Sequence, residues 1–227
     1  EHSHGYWTLT PYVSRLHAAG AKLGAAWYVF LSPTTAVNVH ALQATLASRV
    51  HADDFRGHNN VGVTLMAMGR MKQAGDAFGA AQTLNPGNGT VQNNVGALAR
   101  QNGDMDAAET AYGKASGSPE LSYNKGVLAI AQGNYGRAIS SMGNNTTLNL
   151  ALAKILNDDA NGARTTLENS GDDSAMASYL LAICAARLKD NAGVKKNIGA
   201  ALAKDPTLRA RAQNDLEFRN HKAALGM

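Results

Sequence analysis

Residues 59–78 read NNVGVTLMAMGRMKQAGDAF and residues 93–112 read NNVGALARQNGDMDAAETAY, so two similar stretches begin 34 residues apart. In the first, Gly62 is followed by Gly69 after seven residues and by Ala74 after another five. Two later stretches keep this spacing, with matching residues at Gly96, Gly103 and Ala108, and at Gly126, Gly133 and Ala138. Self-similarity at such a period indicates stacked structural repeats.

Each repeat has the pattern of two helices joined by a glycine turn. In the first unit we predict helices over residues 55–68 and 71–84, with Gly69 at the left-handed turn position and Pro86 ending the second helix. The glycine inside the first helix costs about 1 kcal/mol in helix propensity. Its recurrence therefore predicts a close approach between helices, for which the alanine of the second helix is the expected partner. Phe78 and Tyr112 are expected to fill the space between successive units.

The first unit resembles the tetratricopeptide repeat family, whose pattern it matches at Val61, Gly62, Leu65, Gly69, Ala74, Phe78, Ala81 and Pro86. The resemblance implies an all-α fold, a right-handed α-α superhelix (a solenoid) of about five helix-turn-helix units with a C-terminal capping helix. We divide the chain into an N-terminal segment of unknown role (1–34), a lead-in helix (35–54), the repeats (55–208), and a capping helix and tail (209–227). Units three and four are compressed, and the last helix is predicted from Leu208 to about Ala224.

Composition limits the function classes. Hydrophobic residues make up 44% and charged residues 17%, as in an ordinary folded chain. The net charge is +4, but the Lys and Arg residues form no block, so nucleic-acid binding is not expected. The one cysteine, Cys184, lies in an apolar run and is expected to be buried and unreactive. The start at Glu1 is interpreted as that of a mature or excised fragment.

The ligand surface of such a solenoid is its concave face, which the first helix of each unit lines. Helical spacing places the following candidates on or beside that face: Arg56, Asn59, Asn60, Asn93, Asn94, Arg100, Tyr123, Asn124, Tyr179 and Arg187. The face turns from polar to apolar along the chain, which favours an extended peptide or an amphipathic helix as ligand. Two alternatives stay open: the apolar half is covered by the N-terminal segment of the same chain, or the repeated asparagines are structural.

No motif for catalysis, a cofactor or a metal site is found, so the chain is not expected to be an enzyme. His2 and His4 at the N-terminus are interpreted as a mobile terminus and not as a metal site. The sequence thus predicts a non-catalytic scaffold that binds a protein or peptide. Its rivals are a peptidoglycan or glycan reader, for which Tyr123 and Tyr179 are the available aromatic residues, and a cytosolic regulator.

The run from about residue 45 to 220, including Gly143-Asn144-Asn145 and the ending Asp215-Leu216-Glu217-Phe218, also resembles the repeat segments of OmpA-associated proteins of Bacteroidetes-type bacteria. This resemblance implies a periplasmic or outer-membrane-associated location, with outer-membrane or peptidoglycan-associated components among the partners. A cytoplasmic location is the alternative.

Overall fold

The computed structural model of the chain describes residues 53–222, and within this range it contains eleven α-helices and no strand. The helices are α1 Phe55–Ala67, α2 Met71–Leu84, α3 Gly89–Gln101, α4 Met105–Lys114, α5 Leu121–Ala131, α6 Tyr135–Met142, α7 Leu148–Leu156, α8 Ala160–Glu168, α9 Ala175–Arg187, α10 Asn191–Lys204 and α11 Leu208–Asn214. A short 3₁₀ turn, Leu216–Phe218, follows. None of these helices is long and apolar enough to cross a membrane.

The first ten helices form five helix-turn-helix units, in which each helix packs against the next along the chain. The first helix of each unit also packs against the first helix of the following unit. The predicted solenoid of five units is therefore confirmed, as are the two compressed units in its middle. The predicted N-terminal segment and most of the lead-in helix lie outside the described residues.

The units owe their boundaries to local capping and turn geometry. Eight helices have a side chain that accepts a hydrogen bond from the first turn; these caps are Asp54, Asn88, Asp104, Asn134, Thr147, Asp159, Ser174 and Asp190. Gly69, Gly103 and Gly133 have positive φ and make the turn in units one to three, as predicted. In units four and five Asp158 and Lys189 take this conformation.

The glycine inside the first helix faces an aromatic ring in units one and two, where the prediction that it faces an alanine was wrong. A Cβ on Gly62 would come within 3.0 Å of the Phe78 ring, and one on Gly96 would come as close to the Tyr112 ring. The aromatic ring of the second helix thus packs over the glycine of its own unit. Ala74, Ala108 and Ala138 are fully buried nearby.

The apolar core of the described residues consists of separate clusters of unequal size. One small cluster joins units one and two around Phe78, and another joins units two and three around Tyr112. The largest cluster joins units four and five to the C-terminal end, and it includes Tyr179, Cys184, Ile198 and Phe218. The C-terminal half therefore has the most extensive apolar packing.

The capping helix is shorter than predicted. It ends at Asn214, because Asp215 takes an extended conformation (φ −76°, ψ 125°), and residues 216–218 form the 3₁₀ turn. The Asp215 carboxylate accepts a hydrogen bond from the Glu217 amide at 3.0 Å, which stabilises this turn. The chain is thereby redirected onto α9.

Candidate partner-binding site

A ladder of side-chain hydrogen bonds joins the first helices of successive units. The Asn94 amide donates to Asn59 Oδ1 (2.8 Å), and the Asn124 amide donates to Asn93 Oδ1 (3.0 Å). One unit further on, the Asn149 amide donates to the Tyr123 hydroxyl (2.6 Å). Each bond joins a residue of one unit to the residue that follows the equivalent position in the next unit. The ladder thus fixes how neighbouring first helices stack.

The ladder changes chemistry between units four and five. Leu148 of unit four stands where earlier units have Asn59, Asn93 or Tyr123, and Leu180 of unit five stands where they have Asn94, Asn124 or Asn149. Leu148 packs against the apolar cluster that includes Leu180. Beyond this apolar step the ladder ends with the Tyr179 hydroxyl, which donates to Asp215 Oδ2 at 2.8 Å. The C-terminal segment therefore takes the place that the next unit would have.

The ladder gives several predicted site residues a structural position. Asn59 and Asn93 are buried, and Asn94 and Asn124 are half-buried, with their side-chain amides used within the ladder. The alternative that the repeated asparagines, Asn60, Asn94, Asn124 and Asn149, are structural agrees with the bonds that Asn94, Asn124 and Asn149 make to the neighbouring first helix. Asn60 and Arg56 are exposed, and the Arg56 guanidinium lies 5.5 Å from the centre of the Phe55 ring.

A row of apolar side chains runs beside the ladder. Each member lies four residues, about one helical turn, after a ladder residue and therefore shares its helix face. We call this set the groove row: Val63, Ala97, Val127 and Leu152. Val63 is 39% exposed and the other three are half-buried, whereas Ile183, the equivalent residue of unit five, is buried. The row is therefore accessible in units one to four and closed in unit five.

Arg100 stands at the edge of the groove row, three residues after Ala97. Its Nε atom is buried and has no hydrogen-bond partner among residues 53–222, and the same holds for the Tyr112 hydroxyl. Burial raises the pKa of Tyr112, an effect that the nearby Arg100 guanidinium partly offsets. The Arg100 guanidinium and the Tyr112 hydroxyl thus lie close to each other in a buried corner beside the groove row.

Tyr179 and Arg187 do not face an open groove, which corrects their assignment as exposed partner-binding residues. Tyr179 is 0% exposed because the Phe218 ring packs against it edge-to-face, with 5.5 Å between ring centres. Burial and the Asp215 carboxylate both raise its pKa. The Arg187 guanidinium donates to Glu217 Oε1 at 2.6 Å, and this carboxylate raises the pKa of Arg187.

The apolar end of the predicted groove is thus covered by the chain itself. Among the described residues the covering part is the C-terminal segment; the N-terminal segment that the sequence suggested lies outside the described residues. The ending Asp215-Leu216-Glu217-Phe218 was visible in the sequence only as a shared family feature. Nothing in its spacing indicated that three of its four side chains contact α9.

Two observations on the described residues concern metal binding and the reactivity of the cysteine. Among residues 53–222 no group of three or more His, Cys, Asp or Glu side chains is placed to hold a metal ion. Cys184 is fully buried, and burial raises its pKa to about 11, so its thiol is protonated at neutral pH.

Comparison with known proteins agrees with this architecture. Residues 62–119 match the family model described as tetratricopeptide repeat. PilF of Pseudomonas aeruginosa has 16% identity, a TM-score of 0.60 and coverage of 92% of this chain and 94% of its own. A tetratricopeptide repeat protein from Parabacteroides merdae has 16% identity, a TM-score of 0.59 and coverage of 98% and 90%.

PilW, described as a widely conserved type IV pilus biogenesis factor, has 15% identity, a TM-score of 0.57 and coverage of 96% of this chain and 99% of its own. No curated protein sequence matches the chain. At these identities the structural likeness concerns the fold. The chain therefore has the fold of the tetratricopeptide repeat proteins, and residues 62–119 carry the repeats of that family.

Proposed function

We propose that the chain is a non-catalytic scaffold that binds a peptide or protein segment along the groove row. The observation that carries the proposal is the regular, partly exposed apolar row beside a rigid polar ladder. Buried main chain and ladder bonds hold the four side chains at fixed spacing, so a ligand meets a preformed surface. Tetratricopeptide repeat folds generally bind proteins or peptides, and this supports the assignment.

The chemistry of the surface favours a peptide with apolar side chains. Val63, Ala97, Val127 and Leu152 offer contacts to such side chains. A glycan reader needs an aromatic platform. Of the two tyrosines considered for it, Tyr179 is buried, so the peptide is the better ligand.

We place this function in a bacterial cell envelope, at a periplasmic or outer-membrane-associated site. The resemblance of residues 45–220 to OmpA-associated repeat segments supports this location, and PilW, a pilus biogenesis factor, is similar in fold. Partners then include outer-membrane and peptidoglycan-associated components. Cell fractionation checks the location, and recovery of the chain with cytoplasmic markers contradicts it.

Photo-crosslinking tests the groove directly. A photoreactive phenylalanine analogue is placed at Val63 in the groove row or at Leu84, which lies on the second helix of the same unit with nearly equal exposure, 39% and 40%. Irradiation in cells is expected to give a discrete covalent adduct from position 63, at least tenfold more abundant than from position 84. Mass spectrometry then identifies the attached peptide.

Substitution completes the test. Val63→Glu introduces a charge into the apolar row and is expected to lower partner binding at least tenfold, whereas Leu84→Glu leaves it within twofold. Equal adducts from positions 63 and 84, or equal binding by the two glutamate variants, would show that the partner does not use this surface.

A further inference from the structure

The C-terminal segment Asp215–Phe218 is held on α9 by side-chain contacts that have the character of a ligand complex. The Tyr179 hydroxyl donates to Asp215 Oδ2 (2.8 Å), and Phe218 packs edge-to-face on the Tyr179 ring at an interplanar angle of 82°. Arg187 donates to Glu217 Oε1 from Nε (3.0 Å) and Nη2 (2.6 Å). We call the receiving surface, formed by Tyr179 and Arg187, the terminal site.

The terminal site is preorganised by unit four. Arg187 Nη1 donates to the Ile155 carbonyl and to Asp158 Oδ1 (3.2 Å), so its remaining donors point toward Glu217. The Tyr179 ring has the Arg211 guanidinium 5.3 Å from its centre. An arginine fixed in this way loses little entropy when it binds a carboxylate, which increases its affinity and selectivity for such ligands.

The occupying segment and the helix before it, α11, contribute only two buried residues, Phe218 and Ala212, to the core cluster of units four and five. The helix α9 alone contributes eight buried residues to the fold. Leu216, in the middle of the segment, is 79% exposed. A chain end with few buried apolar contacts opens at low free-energy cost.

We propose that the terminal site is a second binding site, for acidic peptides of the form Asp-x-Glu-aromatic, which the chain's own segment occupies until a partner peptide replaces it. A tethered segment has an effective concentration near the millimolar range, so a free peptide binds weakly while the segment is intact. This site does not include the groove row, and the proposal is independent of the function proposed above.

A labelled peptide that copies residues 213–222 serves as the probe, and its binding to full-length variants is measured by fluorescence anisotropy. Replacing both Glu217→Ala and Phe218→Ala weakens the tethered segment and leaves Tyr179 and Arg187 unchanged. This variant is expected to bind the probe at least tenfold more tightly than the unmodified chain. A probe with glutamine at the Glu217 position is expected to bind at least fivefold more weakly.

Two further arginine variants separate the terminal site from general charge attraction. Adding Arg187→Gln to the variant with Glu217→Ala and Phe218→Ala, in which the segment is released, is expected to weaken probe binding at least tenfold. The matched control is Arg137→Gln, since Arg137 also forms an ion pair with a glutamate, Glu109, but far from the terminal site. Binding is expected to stay within twofold in the control.

Circular dichroism and thermal melting establish that each variant is folded. If the variant with both alanines is unfolded, Glu217→Arg, which keeps Phe218 in place, is tested with the same probe. It is expected to show the same gain in probe affinity over the unmodified chain. A folded, released variant that binds the probe no better than the unmodified chain overturns the proposal. Loss of folding in both variants overturns it as well, because the segment would then be an essential part of the core.

Discussion

At the scale of single residues, the glycine in the first helix of units one to three has a steric role. Its missing side chain makes room for Phe78 over Gly62, for Tyr112 over Gly96, and for Met142 over Gly126. A residue that costs helix propensity thus allows a large side chain of the second helix to pack against the backbone of the first.

Replacing one of these glycines is expected to destabilise the protein. In Gly96→Ala the new methyl group overlaps the Tyr112 ring, and we expect a loss of about 1–3 kcal/mol in the free energy of unfolding, measured by urea denaturation. Gly79→Ala is the control, because Gly79 lies in α2 and no atom lies within 4 Å of the place that its new methyl group would take. It should gain up to about 1 kcal/mol from helix propensity. Equal effects of the two changes would contradict the steric explanation.

At the scale of helices, the two residues of each ladder pair match each other in chemistry. The pair is amide–amide between units one and two and between units two and three, amide–phenol in the next step, and leucine–leucine after that. Hydrogen-bonded and apolar pairs are thus compatible with the same helix packing. A mixed pair is unfavourable, because it leaves a partly buried amide without its partner.

A double-mutant cycle on Asn93 and Asn124 tests this relation. Each single change to leucine is expected to cost about 1–3 kcal/mol of unfolding free energy, whereas the double change costs less than the sum of the two. The coupling is expected to be about 1 kcal/mol. Asn93 with Asn149 is the control pair, since Asn149 bonds Tyr123 instead, and its cycle should be additive. An additive result for Asn93 with Asn124 would mean that their bond does not stabilise the stack.

Some features of the helices can be predicted from the sequence, and others cannot. The helix bounds of the first unit, the glycine turns and the five units follow from local signals such as Gly69 and Pro86. The side chain that packs over Gly62 cannot be predicted from local signals. Both Ala74 and Phe78 fall on the inner face of α2, and only the packing of the helices decides which of them contacts Gly62. The Tyr179 side chain is covered by Phe218 and bonded to Asp215, which is 36 residues away, and no local pattern specifies such contacts.

At the scale of the whole described chain, stability is expected to rise from the first unit toward the last. The clusters around Phe78 and Tyr112 are small, while the cluster of units four and five extends into the C-terminal segment. In a stack where each unit contacts mainly its neighbours, a local weakness affects nearby units most. Val63 and Ala97 of the groove row therefore lie on the more easily opened part, whereas α9, which carries Tyr179 and Arg187, lies on the less easily opened part.

Hydrogen exchange with mass spectrometry can measure this gradient. Gly62→Ala, which brings a methyl group against Phe78, is expected to accelerate amide exchange about tenfold or more in α1 and α2, less in α3, and by under twofold in α9 and α10, because the overlap is transmitted only through neighbouring units. Gly199→Ala in α10, where nothing lies within 4 Å, is the control and should accelerate exchange nowhere. Equal acceleration in all helices by Gly62→Ala would instead show that the five units unfold as one cooperative domain.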